Sequence, residues 1–301
     1  MVLQHTFLRF RWYCAAHLLI AVLFVGIAGN AGADSGGRIC PPGGLSTAEY
    51  LSADDAAREE KIAAYRERYR PAMNAAVHRL RTLFAGKPIK IQYRLKTLES
   101  IQEKLIRKDY RCLSQMTDIA GVRLIILNYA AIPFVTQSVQ EHFTIQEKQN
   151  LIDDPRGSGY RAIHYLLSAA GRIVELQVHT VRGNIWALMS HFLVYKGPYR
   201  SNEMVKSYFD ALSYTLYLLD SGFGHQELPL PTDVPSTAQR EIKGGLMLIQ
   251  AFDVERACPN MDATLEHIEQ SGLAYKESDF YGMDEFDLSY RPLRFAEPAP
   301  D

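Results

Sequence analysis

The chain has 301 residues, of which 47% are hydrophobic and 22% charged. This excludes a wholly disordered chain, a collagen and a coiled coil, and suits one large domain or two small ones. With 33 basic against 34 acidic side chains the net charge is −1, which excludes a global electrostatic footprint for nucleic acid but leaves a local patch open.

In chain order, the first 33 residues carry Arg9 and Arg11 and no acidic side chain. Apolar sequence follows over 15–27, interrupted by His17, and small residues end in Ala31-Gly32-Ala33. This order predicts a signal peptide over 1–33, cut after Ala33, and hence a secreted or periplasmic protein without a stable membrane span. The apolar run is shorter than the roughly 20 residues a spanning helix needs, and an uncleaved anchor is the alternative. The remainder holds 31 basic and 34 acidic groups, a net of −3. Its cysteines are Cys40, Cys112 and Cys258. Three thiols make no framework; one disulfide stays open, with no pairing named. The absence of C-x-x-C and H-E-x-x-H patterns argues against a zinc site.

Residues 34–50 read as a loose leader, with Ser46 and Glu49 spaced as a capping box. Ile62, Tyr65, Tyr69, Met73, Val77 and Leu80 predict a helix over about 53–84, broken or kinked at Pro71. Strands are expected at 89–93 and 119–127, and helices at 98–108 and 132–143. Residues 162–168 and 173–179 read as strands around Ala169-Ala170-Gly171-Arg172, a hairpin signal. Helices follow at 181–195 and 203–219, then a linker over 222–239, a helical stretch over 240–275 and a loose Pro-rich tail. The order predicts an α/β (α+β) domain over 51–222, a mixed sheet of about five strands flanked by helices. Residues 223–301 form a C-terminal extension whose role stays open.

Four segments carry chemistry. Residues 87–111 hold eight basic groups against three acidic ones, around Arg94, Lys96, Ser100 and Lys104. A helix N-terminus there would bind phosphate, though alone the cluster reads as a solvated helix face. Asp118 precedes a buried strand that carries Gly121 and Arg123; a carboxylate at that mouth is a Mg²⁺ ligand or a turn residue. Gly157-Ser158-Gly159-Tyr160-Arg161 precedes His164, where a Gly-rich turn lets backbone approach a ligand and Tyr160 can stack on a base. In Val174–Thr180, alternation puts Glu175, Gln177 and His179 on one strand face, which either meets solvent or lines a cleft.

Together and in this order, the segments resemble the RelA/SpoT-type alarmone synthetase domain, with its nucleotidyltransferase-like fold. The motifs are R-x-K-x-x-x-S (Arg94, Lys96, Ser100), D-x-x-G-x-R (Asp118, Gly121, Arg123), G-Y-x-x-x-H (Gly159, Tyr160, His164) and E-x-Q-x-x-T (Glu175, Gln177, Thr180). The resemblance implies transfer of pyrophosphate from ATP to the 3′-hydroxyl of a purine nucleotide, releasing AMP. It implies that Asp118 and Glu175 hold Mg²⁺, with Glu175 also assisting deprotonation of the hydroxyl. Arg94 and Arg123 would sandwich the adenine of ATP, and Lys96, Ser100 and Lys104 would bind its phosphates. Tyr160 would stack on the acceptor base, while His164, Gln177 and Arg161 would position the acceptor. Three departures lie on the acceptor side: a short Tyr160–Glu175 segment, His179 where the family more often has Arg, and Ser158 where Asn is common. No His-Asp pair of the kind found in the family's hydrolase domain is seen. The alternatives are a toxin-type enzyme acting on the tRNA 3′ end, and a non-catalytic nucleotide-binding module, which the retained carboxylates disfavour. The oligomeric state stays open.

Overall fold

Ser46 starts the first helix by accepting a hydrogen bond from the Glu49 N–H, opening α1 (Thr47–Leu51). The computed structural model describes residue 40, residues 45–157 and residues 159–252. The chain divides into two units, Met1–Ile39 and Cys40–Asp301, and the described residues belong to the second. The expected signal segment, Ser158, Cys258, the helical reading past residue 252 and the Pro-rich tail lie outside the described residues. Within the span expected as a loose leader, Leu45 and Tyr50 are buried in the core. Backbone bonds tie Thr47 to Arg111 and Leu113 to Leu45. Cys40 and Cys112 form a disulfide across a sequence separation of 72.

The single helix expected over 53–84 is two: α2 (Asp55–Glu67) and α3 (Arg70–Leu83), with Pro71 in the first turn of α3. Proline has no N–H to donate and is tolerated there, not in mid-helix. The chain continues through β1 (Ile89–Leu95), α4 (Leu98–Arg107), β2 (Ala120–Ile126), α5 (Ile132–His142) and β3 (Thr144–Asn150). It then forms β4 (Ile163–Ala169), β5 (Arg172–Thr180), α6 (Val181–Ser190), α7 (Glu203–Asp220) and α8 (Ser236–Ala251). β3 lacks apolar alternation; its polar, mostly exposed residues suit an edge strand, which charged side chains protect from further pairing. α8 begins inside the stretch expected as a linker.

The strands order β1-β2-β5-β4-β3. Only β2 and β5 pair in parallel, so the sheet is mixed and the fold is α+β. The β4–β5 hairpin turns on Ala170 (φ 44°) and Gly171 (φ 75°). Two successive left-handed residues fit the tight two-residue turn whose twist matches that of the strands. Alternation then sorts the faces. Val122, Leu124, Ile126, Val174, Leu176, Val178 and Tyr165 are buried with Val77 and Leu80 of α3 in one core. On the opposite face, α6, α7 and α8 build a second core over Ile125 and Leu127. Trp186 of α6 anchors it, donating to the Phe209 carbonyl at 2.8 Å. Elsewhere that face carries Arg94, Arg123, Glu175, Gln177 and His164.

Candidate active site

Strand register writes the site. One row runs Gln92–Arg123–Gln177–His164–Gln149 across all five strands, a polar side chain at every position. The adjacent row is Arg94–Gly121–Glu175. Asp118 lies in the turn leading into β2. Asp118 and Glu175 line one narrow crevice, together with Gln92, Arg94, Gly121, Arg123 and Gln177. Two carboxylates far apart in sequence thus converge because β2 and β5 run parallel.

On the α4 side, Asp118 Oδ2 meets the ammonium groups of Lys104 at 2.7 Å and Lys96 at 3.2 Å. Burial opposes ionisation of Asp118, yet the two cations outweigh it and hold the carboxyl below the usual carboxylate range. Lys96 is shifted down, by burial first and then by Arg94 and Lys104. Thr97 caps α4 by accepting from the Ser100 N–H, so the helix N-terminus follows Lys96 directly. Ser100 Oγ accepts from Lys196 Nζ at 3.2 Å, and Lys196 also pairs with Glu103. Arg94 is 9% exposed and Arg123 4%. The Arg123 fork donates to Asn184 Oδ1 at 2.6 Å and Gln177 Oε1 at 3.1 Å.

On the β4 side, a cavity of about 460 Å³ opens beside the crevice and shares Arg123 and Gln177 with it. Tyr160, His164, Arg156, Trp186, His191 and Tyr195 line the rest of its rim and wall. Glu175 Oε2 accepts from Gln177 Nε2 at 2.8 Å, and Glu175 Oε1 lies 3.6 Å from His164 Nδ1. Burial pushes His164 and, more strongly, His179 below the usual imidazole range, with Arg123 acting in the same direction on both. Gly159 (φ +94°) passes so close to α7 that an added Cβ would stand 2.6 Å from Ser213 Cβ. Only glycine fits there, and the next residue is Tyr160.

Arg94, Lys96, Ser100, Lys104, Asp118, Arg123, Tyr160, His164, Glu175 and Gln177 are gathered around the crevice and the cavity. Arg161 is not brought to the acceptor side. Its Nε donates to Ser213 at 3.2 Å, a second nitrogen donates to the Ile152 carbonyl, and its Cζ lies over the Tyr217 ring, 4.6 Å from the centroid. Neighbouring residues of an extended segment point to opposite sides, so Arg161 leaves where Tyr160 enters. Asn184, Arg156 and His191 add to the site without a local sequence signal as site residues. His191–Tyr195 forms a π-helical turn, a form frequent at functional sites.

The crevice chemistry suits a divalent cation. Asp118 Oδ1 is buried and has no hydrogen-bond partner. Among the described residues no group of three or more His, Cys, Asp or Glu could hold a metal. Two carboxylates completed by substrate phosphate oxygens and water are the donor set Mg²⁺ usually takes.

Residues 93–199 match the region found in RelA / SpoT proteins. The chain is 31% identical over 125 residues to GTP pyrophosphokinase YjbM of Bacillus subtilis, covering 38% of this chain and 59% of that protein. It is 31% identical over 99 residues to an uncharacterised protein of Mycobacterium tuberculosis, covering 31% of this chain and 35% of that one. It thus spans about three-fifths of the first relative's length and about a third of the second's. Small alarmone synthetase 1 from Bacillus subtilis, solved bound to its product pppGpp, is 28% identical with a TM-score of 0.45, over 52% of this chain and 93% of that one. The crevice and its motif residues lie within the region matched to RelA / SpoT proteins or at its edge.

Proposed function

We propose that the protein is an ATP-dependent pyrophosphokinase, moving the β,γ-pyrophosphate of ATP to the 3′-hydroxyl of a purine nucleotide and releasing AMP. The observation that carries this reading is the convergence of Asp118 and Glu175 on one crevice, with a cationic α4 side and an aromatic β4 side. Transfer of this kind depends on positioning and charge neutralisation more than on covalent help from the protein. Lys96, Lys104, Ser100 and the α4 N-terminus receive the ATP phosphates, and Arg94 and Arg123 hold the adenine. Tyr160 stacks on the acceptor base in the adjoining cavity. Glu175, oriented by Gln177, accepts the proton of the attacking 3′-hydroxyl as that oxygen bonds to the β-phosphorus and AMP leaves. Asp118 and Glu175 would hold Mg²⁺, which would supply charge neutralisation on the phosphates.

We read the protein as exported. The Cys40–Cys112 disulfide supports an oxidising compartment, where such bonds persist.

The test is AMP release by purified protein given ATP, Mg²⁺ and GDP, GTP, ADP, ATP or tRNA as acceptor. Glu175→Gln is expected to lower the rate roughly a hundredfold or more. No AMP with any acceptor, or a Glu175→Gln protein equal to wild type, contradicts the reading. Loss of tRNA aminoacylation without any nucleotide product would move the acceptor to the tRNA 3′ end.

A further inference from the structure

We propose that His179 is a positioning residue for the acceptor, and that the hydrogen-bonded chain His179–Tyr160–His164 fixes the stacking ring. This rests on the reading of Tyr160 and Glu175 given above. The Tyr160 hydroxyl lies 2.8 Å from His164 Nε2 and 3.2 Å from His179 Nε2. Both imidazoles meet the Tyr160 ring edge-on, with centroids 5.6 Å away in each case. His164 and His179 share a sheet face on adjacent strands, so the β4–β5 register sets their separation. Beyond the chain, Glu175 Oε1 lies 3.6 Å from His164 Nδ1, close enough to feel its proton but outside hydrogen-bond distance.

With both imidazoles neutral, one proton arrangement satisfies this geometry. A phenol has a single proton, so it donates to one imidazole and accepts from the other. A bare His164 Nδ1 would set a lone pair against the Glu175 carboxylate, so Nδ1 carries the proton. His164 Nε2 then accepts from Tyr160, and His179 Nε2–H donates to the Tyr160 oxygen. That leaves His179 Nδ1 as a bare lone pair, and this atom is buried with no hydrogen-bond partner. His179 is 2% exposed. Burial first, and then Arg123 and His164, disfavour protonation of His179, and no carboxylate acts against them. His179 therefore does not act as a cation. It locks Tyr160 against the sheet, and Tyr160 in turn holds the His164 ring.

The test compares His179→Leu, which removes the donor, with His179→Gln, whose amide N–H can replace it, and with Tyr160→Phe, which keeps the ring. His179→Leu is expected to raise the acceptor KM about tenfold while the ATP KM moves by less than about twofold. His179→Gln restores most of the loss. Nitrogen-15 NMR of the imidazoles reads the chain without turnover: His179 with a bare Nδ1, His164 with a protonated Nδ1, and both signals shifted in Tyr160→Phe. Acceptor KM unchanged in His179→Leu, equal rises for ATP and acceptor, no rescue by His179→Gln, or the reversed tautomers would each overturn the proposal. A wild-type protein that shows these tautomers but releases no AMP supports the hydrogen-bonded chain and sinks the pyrophosphokinase reading alone.

Discussion

On the α4 side of the cleft, Asp118 faces two ammonium groups at 2.7 and 3.2 Å; on the β4 side, Tyr160 sits between two imidazoles at 2.8 and 3.2 Å. The first arrangement is held by charge and the second by hydrogen bonds among neutral groups. A crowded set of like charges around one carboxylate is costly to hold empty and is relieved when phosphate arrives. A neutral, directional network costs little and instead sets angles. The cleft therefore has one half built to attract and neutralise and one half built to orient. This is the division needed by a reaction that neutralises phosphate charge on one side and aims a hydroxyl on the other.

Several substitutions break or sharpen this contrast. The largest effect is expected from Asp118→Asn, which leaves Lys96 and Lys104 facing each other without their counter-charge. It lowers stability by about 3 kcal/mol in urea unfolding and abolishes measurable AMP release. Reducing the Cys40–Cys112 disulfide removes a constraint on the loop that leads from α4 to Asp118. It costs about 2–4 kcal/mol by the same measurement, and it loosens ATP affinity more than acceptor affinity. If both affinities fall equally, the two halves are not independent.

Acidification probes the other half. His179 has a native pKa well below its ordinary 6.5, so the unfolded chain takes up a proton that the native one does not. Stability is unaffected by this group above about pH 6.5 and falls progressively as pH drops below it. The decline read from unfolding between pH 7 and 5 is shallower in His179→Gln. The smallest effect belongs to Arg161→Ala. It costs about 1 kcal/mol through the lost contacts to Ser213 and Tyr217, and leaves the acceptor KM within about twofold of wild type. A large rise in that KM would return Arg161 to the acceptor side.

Much of the cleft was legible in the sequence because short-range rules govern it. Period-two alternation puts Glu175 and Gln177 on one face, and the turn before a buried strand exposes Asp118. The glycine at 159 is dictated by the closeness of α7, so the motif around Tyr160 carries geometry as well as chemistry. What was not legible depends on packing between distant elements. β3 has no apolar period because its faces are largely exposed, and its strand character comes from pairing with β4. Asn184 reaches Arg123 across 61 residues, and Lys196 reaches Ser100 across 96. The direction of Arg161 was not legible either, because adjacency to Tyr160 says nothing about direction once the backbone is extended.

The most direct measurement is mass spectrometry of the products formed from ATP, Mg²⁺ and each purine nucleotide, with phosphorus NMR to locate the new group. The account predicts AMP in equal amount to an acceptor enlarged by one pyrophosphate on its 3′-oxygen, both lost in Glu175→Gln. ADP with free phosphate, or an acceptor modified at any other oxygen, would contradict it.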